Sequence, residues 1–206
     1  MSLSSGLGPL CQTESSSQRT DSTDQVDKRS AAVMRAAKPR SSYVYWGKGI
    51  SIPGDHASRL TGSFAITADI DSGHAPANGV LAALGGHFAG WSFFLRDGYP
   101  IVVMAGSTQA SRIYRVAGGE AVPSGASNVR YAFVSDGGPG KGGTMTISIN
   151  DRVVGSGRIE QPIVMTTELS DTFDVGFDSS TPVTDEYTLQ GRFTGDIRKL
   201  EVLPGS

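Results

Sequence analysis

The sequence predicts an all-β fold in which two antiparallel sheets pack face to face as a sandwich or jelly roll. Apolar and polar residues alternate with period two along many short runs, and turns rich in Gly, Asp and Ser separate those runs. No helical pattern longer than about eight residues follows residue 40. Strands that are apolar on one face need a second layer to cover that face, and here only another sheet can supply it.

Residues 1–40 are predicted to be a low-complexity tail and linker. The stretch TESSSQRTDSTDQVDKRS carries too few apolar side chains to offset the entropy of ordering the chain. Good helix formers follow, so a short helix over about 28–37 is predicted, ended by Pro39. We therefore expect a disordered or partly helical N-terminal tail, followed by a sandwich domain over residues 41–206.

Alternation is clearest in the runs SFAITADI, NVRYAFV and TMTISIN, where every second residue is apolar. In the first of them Phe64, Ile66 and Ile70 share one face. Proline cannot donate a ladder hydrogen bond, so Pro100 indicates either an edge strand or the start of its own strand. Further strands are predicted at 79–84, 91–96, 99–105, 111–117, 152–158, 172–177 and 193–203.

The stretch NGVLAALGGHFAGWSFFLRDG is rich in both glycine and large apolar side chains. We interpret it as two strands, the second with Trp91, Phe93 and Leu95 on one face. The glycines of GGHFAG belong to the turn between them, where a positive φ is cheap only for glycine. His87 lies in this turn and is interpreted as a surface histidine.

Composition excludes several classes of function. Lys plus Arg (18) nearly balances Asp plus Glu (20), so no strong field directs the chain to nucleic acid or a membrane surface. No apolar run approaches the roughly 20 residues of a membrane span, and we recognise no signal peptide. The expectation is a soluble chain whose compartment the sequence leaves open. A single cysteine, Cys11, cannot form an internal disulfide.

Sequence motifs for catalysis are missing as well. SDGGPGKGGT departs from a phosphate-binding loop because Gly142 follows Lys141 where Ser or Thr is required. GSGRIE lacks the third glycine of a dinucleotide fingerprint, and no G-x-S-x-G nucleophile elbow occurs. The first of these glycine-rich segments is interpreted as a long hairpin loop.

Metal ligands are sparse in the sequence. The three histidines lie far apart, which disfavours a histidine zinc site. Asp174 and Asp178, in SDTFDVGFDSS, are weak candidates for oxygen ligands of calcium. We favour the interpretation that these aspartates cap turns at strand ends, and no metal site is predicted.

Four segments occur in an order that resembles the C-terminal region of long-type bacterial arylsulfatases. They are NGVLAALGGHFAGWSFFLRDG, DGGPGKGGTMTISINDRVVGSGRIE, DTFDVGFDSSTPVTDEY and FTGDIRKLEVL. A sandwich of the concanavalin or laminin-G-like kind is expected. The resemblance implies that catalysis belongs to a separate N-terminal domain, which uses a divalent metal and a formylglycine made in C/S-x-P/A-x-R. Cys11 is followed by QTES and does not match, so this chain alone is predicted to be inactive and to hold no cofactor.

Two functions follow as expectations. The resemblance implies a non-catalytic sandwich that packs on and supports a sulfatase catalytic domain, in cis or in trans. An exposed docking surface would then also permit a homodimer.

The alternative is a stand-alone, lectin-like carbohydrate-binding module, with Tyr45, Trp46 and His87 as candidate binding residues. Against it, we expect Tyr43, Tyr45 and Trp46 to form a strand packed over the sandwich edge. Burial of both Trp46 and Trp91 would leave no aromatic platform. A third interpretation, a sandwich with its own enzyme chemistry, requires a pocket with two carboxylates of raised pKa.

Overall fold

The computed structural model describes residues 40–58, 60, 62–106, 112–137, 141–160, 171–179 and 181–205. Residues Arg40–Ser206 form one compact unit. The predicted N-terminal tail, its helix over 28–37 and Cys11 lie outside the described residues.

Twelve strands occur in this part of the chain, together with two short 3-10 turns at Gly54–His56 and Leu189–Gly191. The strands are β1 (Tyr43–Trp46), β2 (Ile50–Pro53), β3 (Phe64–Asp71), β4 (Gly79–Gly85), β5 (Gly90–Arg96), β6 (Tyr99–Ala105), β7 (Ile113–Ala117), β8 (Ala126–Ser135), β9 (Gly143–Ile149), β10 (Arg152–Ile159), β11 (Thr172–Val175) and β12 (Asp196–Pro204).

The strands form two six-stranded antiparallel sheets, which confirms the predicted fold class. The first sheet has the order β1-β12-β3-β8-β9-β10, and the second has the order β2-β11-β4-β5-β6-β7. Strands that follow one another in sequence often lie in different sheets, as β1 and β2 do. Within the described ranges, no helix has the length and apolar character needed to cross a membrane.

The main core lies between the two sheets and uses the faces that alternation predicted. Ile66 and Ile70 of β3 are buried there, and so are Trp91 and Phe93 of β5. Tyr131 of β8 packs edge-on against Phe64, with 5.4 Å between the ring centroids. Burying each such side chain stabilises the fold by about 1.5–3 kcal/mol, which is what holds the two sheets together.

The glycine-rich stretch forms β4, a turn and β5, as predicted. Gly85 has φ +82°, and a β-carbon on it would lie 2.3 Å from the carbonyl oxygen of Ala89. Pro100 is the second residue of β6, which lies between β5 and β7. The edge-strand alternative for Pro100 is therefore wrong, and its place at the start of its own strand is confirmed.

The outer face of the second sheet carries a second apolar cluster. Residues 176–179 and 181–191, which together we term the strap, cover it: Val183 is buried against the sheet, and the Tyr187 ring lies 5.1 Å from that of Phe94. With both faces covered, β4 to β6 read as nearly continuous apolar runs. The first sheet has a polar outer face instead. The sheet residues of the second cluster are Val80, Ala83, Phe94, Ile101, Val103 and Ala105.

Candidate functional site

The two aromatic candidates of β1 point in opposite directions. Tyr45 is half-buried with its ring 5.1 Å from that of Phe173, and burial is the main cause that raises its pKa. Trp46 lies on the outer face of the first sheet and is 73% exposed, whereas Trp91 is 0% exposed. The expectation that this strand packs over the sandwich is right for Tyr45 and wrong for Trp46.

The third binding candidate, His87, lies in the turn between β4 and β5. It is partly buried, and its ring stands edge-on to that of Phe88 at 6.0 Å. The turn belongs to the second sheet, and His87 is not among the residues that line the groove at Trp46. The structure therefore does not bring the three candidates together.

Trp46 lines an open groove of about 430 Å³ on the outer face of the first sheet. Polar side chains make up most of the remaining lining: Asp69, Asn128, Asn150, Arg198 and Lys199.

Strand pairing places five of these residues in one line, which we term the cross-strand row. Trp46 pairs with Lys199 of β12, Lys199 with Asp69 of β3, and Asp69 with Asn128 of β8. Asn150 follows β9 directly and closes the row, because its Oδ1 accepts a hydrogen bond of 2.9 Å from the backbone N–H of Asn128. The row runs across the strands and not along one of them.

A β-bulge in β12 adds a second cation to the groove. Ile197 and Leu200 are both buried in the core, yet two residues lie between them. The register shifts between Ile197 and Lys199, so Arg198 is the extra residue and lines the groove together with Lys199. Bulges re-aim side chains in this way and are frequent beside binding sites.

Ion pairs and hydrogen bonds hold the polar side chains of the groove in place. Lys199 Nζ lies 3.4 Å from Asp69 Oδ2, and the charge of Asp69 is the main cause that raises the pKa of Lys199. Arg198 Nη2 donates to Asp71 Oδ2 at 2.9 Å. The pKa of Asp71 is lowered, first by the backbone N–H of Gly73 and then by Arg198.

The groove places hydrogen-bonding groups beside one apolar surface. Its carboxylates and amides accept and donate hydrogen bonds, and its indole offers an apolar face. The pKa values of Asp71, Asp136 and Glu186 are all shifted downward. A general acid requires the opposite direction at neutral pH, so these three groups give the sandwich-enzyme interpretation no support.

The two metal candidates fasten the strap. Asp174 Oδ2 accepts hydrogen bonds of 2.7 Å from both the backbone N–H and the hydroxyl of Ser179. Asp178 Oδ2 accepts one of 2.5 Å from the Tyr187 hydroxyl. In the part of the chain that the structure describes, no group of three or more His, Cys, Asp or Glu side chains is placed to hold a metal ion.

No protein-family model matches the sequence, and no curated protein matches it. Solved structures do match. A point mutant of NanB sialidase from Streptococcus pneumoniae is 17% identical with a TM-score of 0.51, covering 81% of this chain and 26% of the sialidase. Mouse laminin α1 chain, domains LG4-5, is 11% identical with a TM-score of 0.53, covering 81% of this chain and 43% of that one.

These likenesses define the class of fold. The protein is a two-sheet β-sandwich of the jelly-roll, laminin-G-like kind, as predicted. It spans about a quarter of the sialidase and less than half of the laminin fragment. Neither structure is an arylsulfatase, so the resemblance to that family gains no support from them.

Sequence reasoning missed the polar residues of the groove, although one local signal was present. In DIRKLEV the apolar residues Ile197 and Leu200 are separated by two charged residues, which breaks the period of two. That break marks the bulge. Asp69 and Asn128 carried a weaker signal as polar residues on outward-facing positions of strongly alternating strands.

Proposed function

We propose that this sandwich is a carbohydrate-binding module that takes a sugar ring on Trp46. The observation that carries the proposal is the 73% exposure of that indole beside a polar groove. A pyranose ring has an apolar C–H face that packs on an aromatic ring, while its hydroxyls need donors and acceptors at the rim. Trp46 and the cross-strand row supply both.

The hydrogen-bonding groups beside Trp46 are fixed before any ligand arrives. Asn128 Nδ2 donates to Asp69 Oδ1 at 2.7 Å, which orients the amide and the carboxylate together. Asn150 uses Oδ1 to accept from Asn128, and its Nδ2 makes no hydrogen bond within the described residues. Groups held in advance lose little freedom when they bind, which favours affinity.

A role in supporting a sulfatase catalytic domain stays a prediction from the sequence resemblance. The two roles are separable in experiment, because a sugar site on an open sheet face is measurable with this chain alone. Turnover of an aryl sulfate by the pure protein would contradict the predicted inactivity.

Tryptophan fluorescence tests the proposal directly. The chain has two tryptophans, and Trp91 is 0% exposed, so any change in emission on adding sugar reports Trp46. A screen on an array of neutral and acidic glycans should give a ligand. Titration with that glycan should shift the emission of Trp46 to shorter wavelength and protect it from acrylamide.

Matched variants locate the site. Trp46→Ala should lose binding by about 2 kcal/mol or more, as expected for a central aromatic contact. Phe88→Ala removes an equally exposed aromatic ring (74%) from a turn of the second sheet and should bind normally. A blank array, or unchanged binding by Trp46→Ala, would overturn the proposal.

A further inference from the structure

The cross-strand row is too long for a single sugar. Resting on the proposed function, we propose that the groove binds a neutral, linear oligosaccharide that lies across the strands from Trp46 to Asn150.

Length is the first reason. The row has one member on each of β1, β12, β3 and β8, and its last member follows β9. Neighbouring strands lie 4.7–4.9 Å apart, so the row extends over about 19 Å. One sugar ring on the indole covers one end only. A ligand needs further rings of the same chain to reach the amides of Asn128 and Asn150 at the other end.

Charge is the second reason. The two cations of the groove already have acidic partners: Arg198 pairs with Asp71 at 2.9 Å, and Lys199 with Asp69 and Glu201 at 3.4 and 3.5 Å. A sulfate or uronate group would compete with carboxylates that are already in place, and these repel it. Hydroxyl groups accept from such cations and donate to such carboxylates without separating them.

The surroundings of the groove reinforce the preference for neutral sugars. Lys48 Nζ lies 3.0 Å from Asp196 and donates to the carbonyl of Gly195 at 2.6 Å. Together with the ion pairs of Arg198 and Lys199, this makes four carboxylates and three cations around the Trp46 end. No net positive field of these groups therefore draws an acidic ligand. These groups are Asp69, Asp71, Asp196 and Glu201, with Lys48, Arg198 and Lys199.

Calorimetric titration with oligosaccharides of increasing length tests the inference. The probes are cello-, malto- and N-acetylchito-oligosaccharides of two to six rings, with oligogalacturonates and heparin fragments as acidic counterparts. For at least one neutral series, affinity should rise about tenfold or more from two rings to four and then level off. Acidic fragments of equal length should bind at least about tenfold more weakly.

One variant tests whether the far end of the cross-strand row contributes to binding. Asn150→Asp keeps the oxygen that accepts from the Asn128 backbone and loses the Nδ2 donor. It should weaken binding of a four-ring chain about tenfold and that of a two-ring chain less than about twofold. Trp46→Ala should weaken chains of every length.

The outcomes separate the inference from the proposed function. Equal affinity for two and six rings, or an Asn150→Asp variant that binds long chains normally, would overturn the inference and leave Trp46 as a site for one sugar. Tighter, salt-sensitive binding of acidic fragments would overturn the neutral preference. If no carbohydrate binds, the proposed function falls as well.

Discussion

One hydrogen bond of the strap goes to a buried carboxylate. The Tyr187 hydroxyl donates to Asp178 Oδ2 at 2.5 Å, and Asp178 is 1% exposed. The same hydroxyl accepts from the backbone N–H of Val183 at 3.2 Å. Tyr187→Phe removes these two bonds while its ring keeps the contact with Phe94. The perturbation therefore isolates the hydroxyl.

The expected loss follows from the chemistry of the acceptor. Hydrogen bonds to charged groups contribute about 1.5–3 kcal/mol, more than neutral ones. In Tyr187→Phe the Val183 N–H keeps a long contact of 3.4 Å to Asp178 Oδ2, so the loss of its bond to the tyrosine adds little to the expected loss of stability. Tyr187→Phe should lower the free energy of unfolding by about 2 kcal/mol. For a domain of this size the melting temperature should fall by about 4–8 °C.

Urea unfolding followed by circular dichroism measures the loss, and two further variants control it. Tyr99→Phe removes a hydroxyl from a ring that is 43% exposed and should cost less than about 0.5 kcal/mol. Asp178→Asn keeps an acceptor without the buried charge, so Tyr187→Phe should cost less in that background. A loss below about 0.5 kcal/mol at Tyr187, or equal losses at both tyrosines, would refute the reasoning.

Three other predictions follow from the described contacts. Burial raises the pKa of Tyr131 above its ordinary 10.0, so the free energy of unfolding should fall as pH rises above 10. Because the Tyr131 hydroxyl has no partner in the described chain, Tyr131→Phe should lessen that fall and cost nothing near neutral pH. Urea midpoints measured at about pH 8 and about pH 11 test this. Hydrogen bonds from Arg115 lower the pKa of Glu186 below its ordinary 4.5, so the stability that this pair adds should disappear below that pH. Glu186→Gln should lower the free energy of unfolding by about 0.5 kcal/mol in neutral solution and leave it unchanged in acid. An equal loss at both pH values would contradict this. Gly85 and Gly125 both have positive φ, but of the two only Gly85 would bring a β-carbon against backbone atoms. In thermal unfolding, Gly125→Ala should therefore cost about 1 kcal/mol of stability and Gly85→Ala about 3 kcal/mol or more. Equal losses would refute the steric explanation.

Alternation in the sequence predicts which residues are buried, because period two records directly which face meets the core. The buried faces of β3 and β9 follow from it. It fails for YVYW in β1, where both faces are apolar and the pattern does not say which of Tyr45 and Trp46 points inward. It also misses β2, a run of four residues that lies between two glycines, ends in a proline and is too short to show a period.

The groove was beyond sequence reasoning for a different reason. Its members lie on strands far apart in the chain, and β1 meets β12 only because the last strand enters the first sheet beside it. Local patterns contain no information about such pairing. The local motifs of the sequence instead single out glycine-rich turns and Asp174 and Asp178, which shape the scaffold and its strap.

Because of the bulge in β12, a small change in the gene can alter the groove without altering the buried core. Ile197 and Leu200 need only one outward residue between them to alternate regularly, so loss of the single codon for Arg198 would leave both in the core. A deletion of three nucleotides would thus remove one cation from the groove while the alternation of buried and outward residues in β12 is kept. On the proposed function, the loss of this one codon would change what the groove binds, with no new fold and no rebuilt core.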